Sequence, residues 1–191
     1  YLASELRDRI RSSEVEIRIL DRQARAEYLV QPQAFSGRHL NKLKTPKSPH
    51  GDVYVELYLD ELKPTNCVGL YRSGTRVLEN ITELDEFQHA PWTSGYLQGV
   101  IDAPFLNVTP GTRLGIIQDD AFAAFRDAIA PLAATLDEII REQKQAEEEE
   151  VNRDTLKSIQ RAFREAVLAL PEEEYDWFEV YGVNGRSAKR P

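Results

Sequence analysis

The sequence predicts an α/β fold: a mixed sheet packed against helices, with long helices at the carboxy-terminal end. Two observations carry this. Apolar and polar residues alternate with period two in several short runs before residue 104, as in half-buried strands. From Asp119 onward the apolar period changes to three and four, as on one stripe of a helix.

The chain has 191 residues, 41% of them hydrophobic and 29% charged. That composition belongs to a folded chain with a sizeable core rather than to a disordered one. The single cysteine, Cys67, excludes an internal disulfide framework and any multi-cysteine zinc site. No apolar run reaches membrane-spanning length and no signal peptide opens the chain, so a cytoplasmic protein is expected. The sequence opens on Tyr1 and contains no methionine, which suggests a piece excised from a longer protein.

The elements follow in order. Residues 14–20 alternate, with Val15, Ile17 and Ile19 on one face of an expected strand. Residues 31–51, with Pro32, Gly37, Pro46, Pro49 and Gly51, read as a flexible loop. Within it Lys42, Lys44 and Lys47 form a basic cluster, either solvated or facing phosphate. Residues 52–59 alternate again: Val53, Val55, Leu57 and Leu59 share a dry face, and Tyr54, Glu56 and Tyr58 a wetter one. Residues 66–72 and 75–79 flank Ser73-Gly74, the signature of a hairpin. Residues 95–103 form a further strand, and Pro104 to Gly115 a structured loop.

Phe122, Phe125, Ile129, Leu132, Leu136, Ile139 and Gln143 are spaced as one helical stripe, with Asp119 and Asp120 at the end where the helix dipole favours negative charge. Pro131 should kink or split this helix. Leu156, Ile159, Phe163, Val167 and Leu170 form a second stripe, ended by Pro171. Residues 1–118 are thus the mainly β part of one domain, 119–171 its helical part and 172–191 a linker.

Charge is unevenly placed. Residues 1–50 hold ten Lys/Arg and six Asp/Glu, net +4, against a total of −8. The remainder is net −12. A basic arm could contact nucleic acid or fold against the acidic body. The interleaved signs of the arm and the overall acidity argue against nucleic acid. His39, His50 and His89 lack ligand spacing, and no GxxxxGK[ST], GxGxxG or GxSxG motif occurs. Cys67, in an apolar run, reads as an inert thiol.

The stretch from Tyr96 to Arg113, with Gly-Val-Ile-Asp at 99–102 and Leu106-Asn107 before a long helix, resembles the middle domain of the heat-shock-protein-90 chaperones. Val-Gly-Leu-Tyr-Arg at 68–72 and Arg76-Val77 resemble the hairpin before it. More broadly, residues 50–170 are similar to the transducer domain of the GHKL ATPases, which include gyrase B and the MutL repair proteins. The loop Val-Thr-Pro-Gly-Thr-Arg at 108–113 is longer than the Ser-Arg connection of that family.

The resemblance implies a transducer-like sandwich and a division of labour. ATP and Mg²⁺ would be held mainly by a separate amino-terminal ATP-binding domain, and no Asp-x-Gly-x-Gly lid motif of such a domain occurs in this sequence. The present domain would send a cation to the γ-phosphate and have no ATPase activity alone. Arg113 is the first candidate, with Asn107 and Thr112 holding its loop and Lys42, Lys44 and Lys47 as an alternative phosphate contact. The expected partners are that ATP-binding domain, a second copy of the chain, and a client protein of unknown identity. A different reading makes the chain a helical interaction or dimerisation module with no nucleotide role.

Overall fold

The computed structural model describes residues 2–12, 16–110 and 115–169, with residues 8, 12 and 167 by backbone alone. Two compact units divide at Glu142/Gln143.

The first unit is built on a five-stranded mixed sheet. Its strands are β3 (Arg38–His39), β6 (Tyr54–Leu59), β7 (Val68–Arg72), β8 (Thr75–Leu78) and β9 (Leu97–Asp102). They lie in the order β3-β6-β9-β7-β8. β9 is central, antiparallel to β6 and parallel to β7. The predicted hairpin is β7–β8, closed by Ser73 and Gly74 at φ 51° and 74°. Two consecutive positive φ angles suit the right-handed twist of the flanking strands. Short helical turns at Ile81–Glu83 and Asp85–Phe87 fill the return from β8 to β9.

The strand alternation separates two faces. Val53, Leu57 and Leu59 enter the main apolar core, together with Leu70, Ile101 and Leu106. Phe122, Phe125, Ile129, Leu132, Leu136 and Ile140 of helix α3 (Asp120–Leu168) join them. The expected stripe therefore covers the core, turning from Ile139 to the better-buried Ile140 in its last turn. Pro131 does not split the helix, which continues as α-helix through it. The ring removes one donor, so the Asp127 carbonyl loses its intrahelical partner.

The opposite sheet face is wetter at Tyr54, which is 51% exposed, and partly covered further along. Two short helices, α1 (Leu2–Glu5) and α2 (Arg7–Ser12), precede the sheet. Their polar groups meet it: Tyr71 Oη donates to the Ser4 carbonyl at 2.8 Å, and Arg76 pairs with Glu5 at 2.7 Å. Glu56, on this face, is 4% exposed. Residues 14–20 also depart from expectation. The strand there is β1 (Arg18–Asp21), which pairs with β2 (Ala26–Leu29) as a separate exposed hairpin. Ile19 is 46% exposed, so its apolar face covers no core; Val15 lies outside the described residues. The 31–51 segment is not wholly loop: it carries β3 and also β4 (Lys47–Ser48), which pairs with β5 (Gly51–Asp52).

The second unit contains the remainder of α3. From residue 148 to 166 every side chain is exposed. No helix among the described residues is long and apolar enough to cross a membrane.

Candidate functional site

The loop after β9 is anchored at both ends. Asp102 is buried, and its carboxylate accepts from the backbone N–H of Ser73 at 2.8 Å and Gly74 at 2.6 Å. It therefore ties the tip of the β7–β8 hairpin to the end of β9, as a turn-stabilising residue. Asn107 donates through Nδ2 to Asp119 Oδ2 at 2.7 Å. Its carbonyl accepts from Ile117 N–H at 2.8 Å. Asp119 in turn caps α3, its Oδ1 accepting from Phe122 N–H at 3.0 Å. The Asn107 hydrogen bond, helped by these backbone donors, holds the Asp119 carboxyl below its ordinary value.

Between these anchors the two arms of the loop pair with each other. Thr109 N–H donates to the Gly115 carbonyl at 2.9 Å, and Val108 bridges Ile116. Thr112 and Arg113 fall between the arms and lie outside the described residues. Asn107 ties the start of the loop to Asp119 at the head of α3.

The lysine cluster is assembled on one cleft. Lys42, Lys44 and Lys47 line a cavity of about 480 Å³ whose facing wall is Asp127, Ala128, Pro131, Leu132 and Thr135 of α3. All three side chains are exposed. Among the described residues none of the three ammonium groups has an ion pair or hydrogen bond. Asp127 does not neutralise them, because its carboxylate is held by Arg126 at 2.9 Å. Asp52 lies across from Lys47 in the β4–β5 ladder without forming an ion pair with it. The cleft therefore presents three lysines that, among the described residues, have no ion-pair partner.

Cleft and loop belong to one end of the sheet. His50, at the β4–β5 turn, stacks on Phe105 with ring centroids 6.0 Å apart. Leu43, Phe105 and Val108 each pack against the core. The structure thus brings His50, three residues past Lys47, against Phe105 ahead of the Asn107 loop, 55 residues later in the chain.

A second constellation had no motif in the sequence. Glu56 accepts from Arg7 at 3.0 and 2.8 Å, from Arg11 at 2.9 Å, from Tyr54 Oη at 3.0 Å and from Tyr58 Oη at 2.8 Å. Burial alone would raise its carboxyl, but the Arg7 guanidinium and the two tyrosine hydroxyls outweigh burial and hold it at about 2. Arg7 is further held by the Gln33 carbonyl at 2.8 Å and by the Phe35 ring, 4.5 Å from the guanidinium carbon. With every carboxylate lone pair engaged, this cluster joins α2 to the sheet and leaves no free acid or base for chemistry. Its one sequence signal is the Tyr-x-Glu-x-Tyr alternation on β6, which places three polar side chains on one face.

Cys67 is half-buried, and burial followed by the nearby Glu79 pushes its thiol up. That disfavours the thiolate a nucleophile requires. Among the described residues no group of three or more His, Cys, Asp and Glu could hold a metal ion.

Comparison of the chain with family models, with curated proteins and with solved structures finds no match.

Proposed function

We propose that this chain is the transducer module of a heat-shock-90-like GHKL ATPase, delivering positive charge to the phosphates of a nucleotide held by an adjoining ATP-binding domain. The observation that carries the reading is the cleft with three unpaired lysines, set against the segment that leads into the braced Asn107 loop. Charge spread over a transferring phosphoryl group is stabilised by cations positioned in advance. The donors fit phosphate oxygens rather than a metal, so Mg²⁺ is assigned to the ATP-binding domain together with the bulk of the nucleotide. Arg113 remains the arginine that the resemblance nominates, with Thr112 beside it.

The chain's own residues have three tasks in this reading. Asn107 and Asp119 fix the loop to the start of α3. Lys42, Lys44 and Lys47 lower the electrostatic cost of bringing a polyphosphate to this face. Asp102 holds the hairpin rigid behind the loop. Contact exists only while the phosphate is present, so hydrolysis releases the domain.

The test is ATP turnover by the protein that joins this chain to its ATP-binding domain. Arg113→Ala and the triple change Lys42→Gln/Lys44→Gln/Lys47→Gln should each lower kcat at least tenfold, with nucleotide affinity changed much less. Wild-type turnover in both variants overturns the reading.

A further inference from the structure

A second cavity, of about 430 Å³, opens beside the lysine cleft and shares only Lys44 and Thr45 with it. That volume lies within the range of small-ligand sites. Arg11 of α2, the segment from His39 to Thr45, and the Tyr54–Tyr58 stretch of β6 line it. Neither Lys42 nor Lys47 does, so the cavity is independent of the nucleotide reading.

Arg11 offers an open edge here. Its Nη1 donates to both Glu56 oxygens at 2.9 Å, and its side chain is 50% exposed. Nε and Nη2, the parallel donors on the other edge of the guanidinium, have no partner among the described residues. Glu56 cannot neutralise that edge, because Arg7, Tyr54 and Tyr58 also hold its oxygens. Arg7 and Arg11 against one carboxylate leave the cluster a net charge of +1. The His39 ring nitrogens, the Asn41 amide and the Lys44 ammonium line the same cavity and have no hydrogen bond or ion pair among the described residues.

We infer that this cavity binds a carboxylate carried on an aromatic ring. The planar edge of Arg11 matches a planar carboxylate, which takes Nε–H and Nη2–H through two parallel hydrogen bonds. One negative charge cancels the excess that the Arg7–Arg11–Glu56 cluster leaves, whereas a dianion would bring a second charge close to the Glu56 carboxylate. The rest of the wall is apolar: Leu43 and Val55 are half-buried, and Tyr54 lines the cavity while half exposed. A bare inorganic anion leaves those surfaces wet, and a ring covers them. Asn41 and His39 stand at the polar side as further hydrogen-bonding groups, the His39 ring being steadied against Tyr58 with centroids 4.9 Å apart.

Calorimetric titration of the full 191-residue chain tests it, with benzoate, the tripeptide Gly-Gly-Phe and the carboxamide of that tripeptide as probes. At least one of the two acids should bind one to one. Tighter binding of benzoate assigns the site to a free aromatic acid, and tighter binding of Gly-Gly-Phe to the terminus of a peptide. The carboxamide should bind about tenfold more weakly than its acid, having lost the charge-assisted pair. Arg11→Gln should lower the affinity by a similar factor with the circular dichroism spectrum unchanged. Asn41→Ala and His39→Phe alter exposed side chains without hydrogen bonds, so they should keep the fold while lowering the affinity several-fold. No binding of either acid at the highest soluble concentration, equal affinity for acid and carboxamide, or titrations unchanged in the three variants overturns the inference.

Discussion

The guanidinium of Arg7 meets the carboxylate of Glu56 through two parallel hydrogen bonds, Nη1 to Oε2 at 3.0 Å and Nη2 to Oε1 at 2.8 Å, with both side chains almost fully buried. A buried ion pair gains little over a well-packed apolar pair, yet breaking one is costly because the surviving charge stays buried. Arg7→Ala should therefore destabilise the fold by about 3 kcal/mol, read as a lower urea midpoint at unchanged slope. Glu56→Gln should also destabilise it, since the amide offers one acceptor oxygen in place of two and leaves the Arg7 guanidinium buried without a counter-charge. Equal midpoints for Arg7→Ala and wild type would show that α2 does not hold the sheet.

The same carboxylate sets an acid limit. Its folded value, about 2, lies below the ordinary 4.5. The unfolded state therefore binds the proton first as pH falls. The contribution of Glu56 is fully present above about pH 4.5 and fades as pH drops toward 2, on the order of 3 kcal/mol over that window. Asp60, also held at about 2 by the Lys63 and Ser36 hydrogen bonds, adds a loss of the same sign. In Glu56→Gln the stability curve between pH 4.5 and 2 should be visibly flatter. An unchanged slope in that variant would assign the acid sensitivity elsewhere.

Gly99 sits in the middle of β9 at φ +147°, opposite Leu57 on β6. A Cβ there would lie 2.1 Å from the Glu56 carbonyl oxygen and 3.0 Å from the Leu57 Cα. Both obstacles are backbone, so no rotamer relieves them. Gly99→Ala should open the β6–β9 pairing at the centre of the sheet and cost more than about 3 kcal/mol. The thermal midpoint of the purified variant, or its failure to accumulate in soluble form, checks this. The clash also bears on the Arg7 cluster, because Glu56 is the residue whose carbonyl would be displaced.

What could be read in the sequence was what repeats locally. Period two located β6, Ser73-Gly74 located the β7–β8 hairpin, and the Phe122–Leu136 spacing located the buried face of α3. Pro131 does not split the helix because a proline's cost is local, while Phe125, Ile129 and Leu132 around it are all buried and hold the helix on the core. On the polar face of β6 the burial of Glu56 had no such local signal, while Tyr54 stays exposed. Whether Glu56 meets water or an arginine depends on Arg7, 49 residues earlier in the chain, and no period reports such a pairing. The lysine cluster was visible as composition. Its conversion into a cleft required α3, which supplies the facing wall from Asp127 to Thr135.

That cleft makes a prediction the isolated chain can answer. Three exposed lysines with no ion-pair partners among the described residues repel one another, so neutralising them should leave stability within about 0.5 kcal/mol of wild type. An anion that binds only the folded state stabilises it in proportion to occupancy, by about 2.7 kcal/mol at a hundredfold excess over Kd. Tripolyphosphate should therefore raise the Tm of the wild-type chain at low ionic strength, more than inorganic phosphate does. The rise should shrink as salt shortens the reach of exposed charges. In Lys42→Gln/Lys44→Gln/Lys47→Gln the starting Tm should be preserved and the tripolyphosphate shift lost. A shift of equal size in the variant would place the anion elsewhere, and the unpaired lysines would then be no more than a solvated loop.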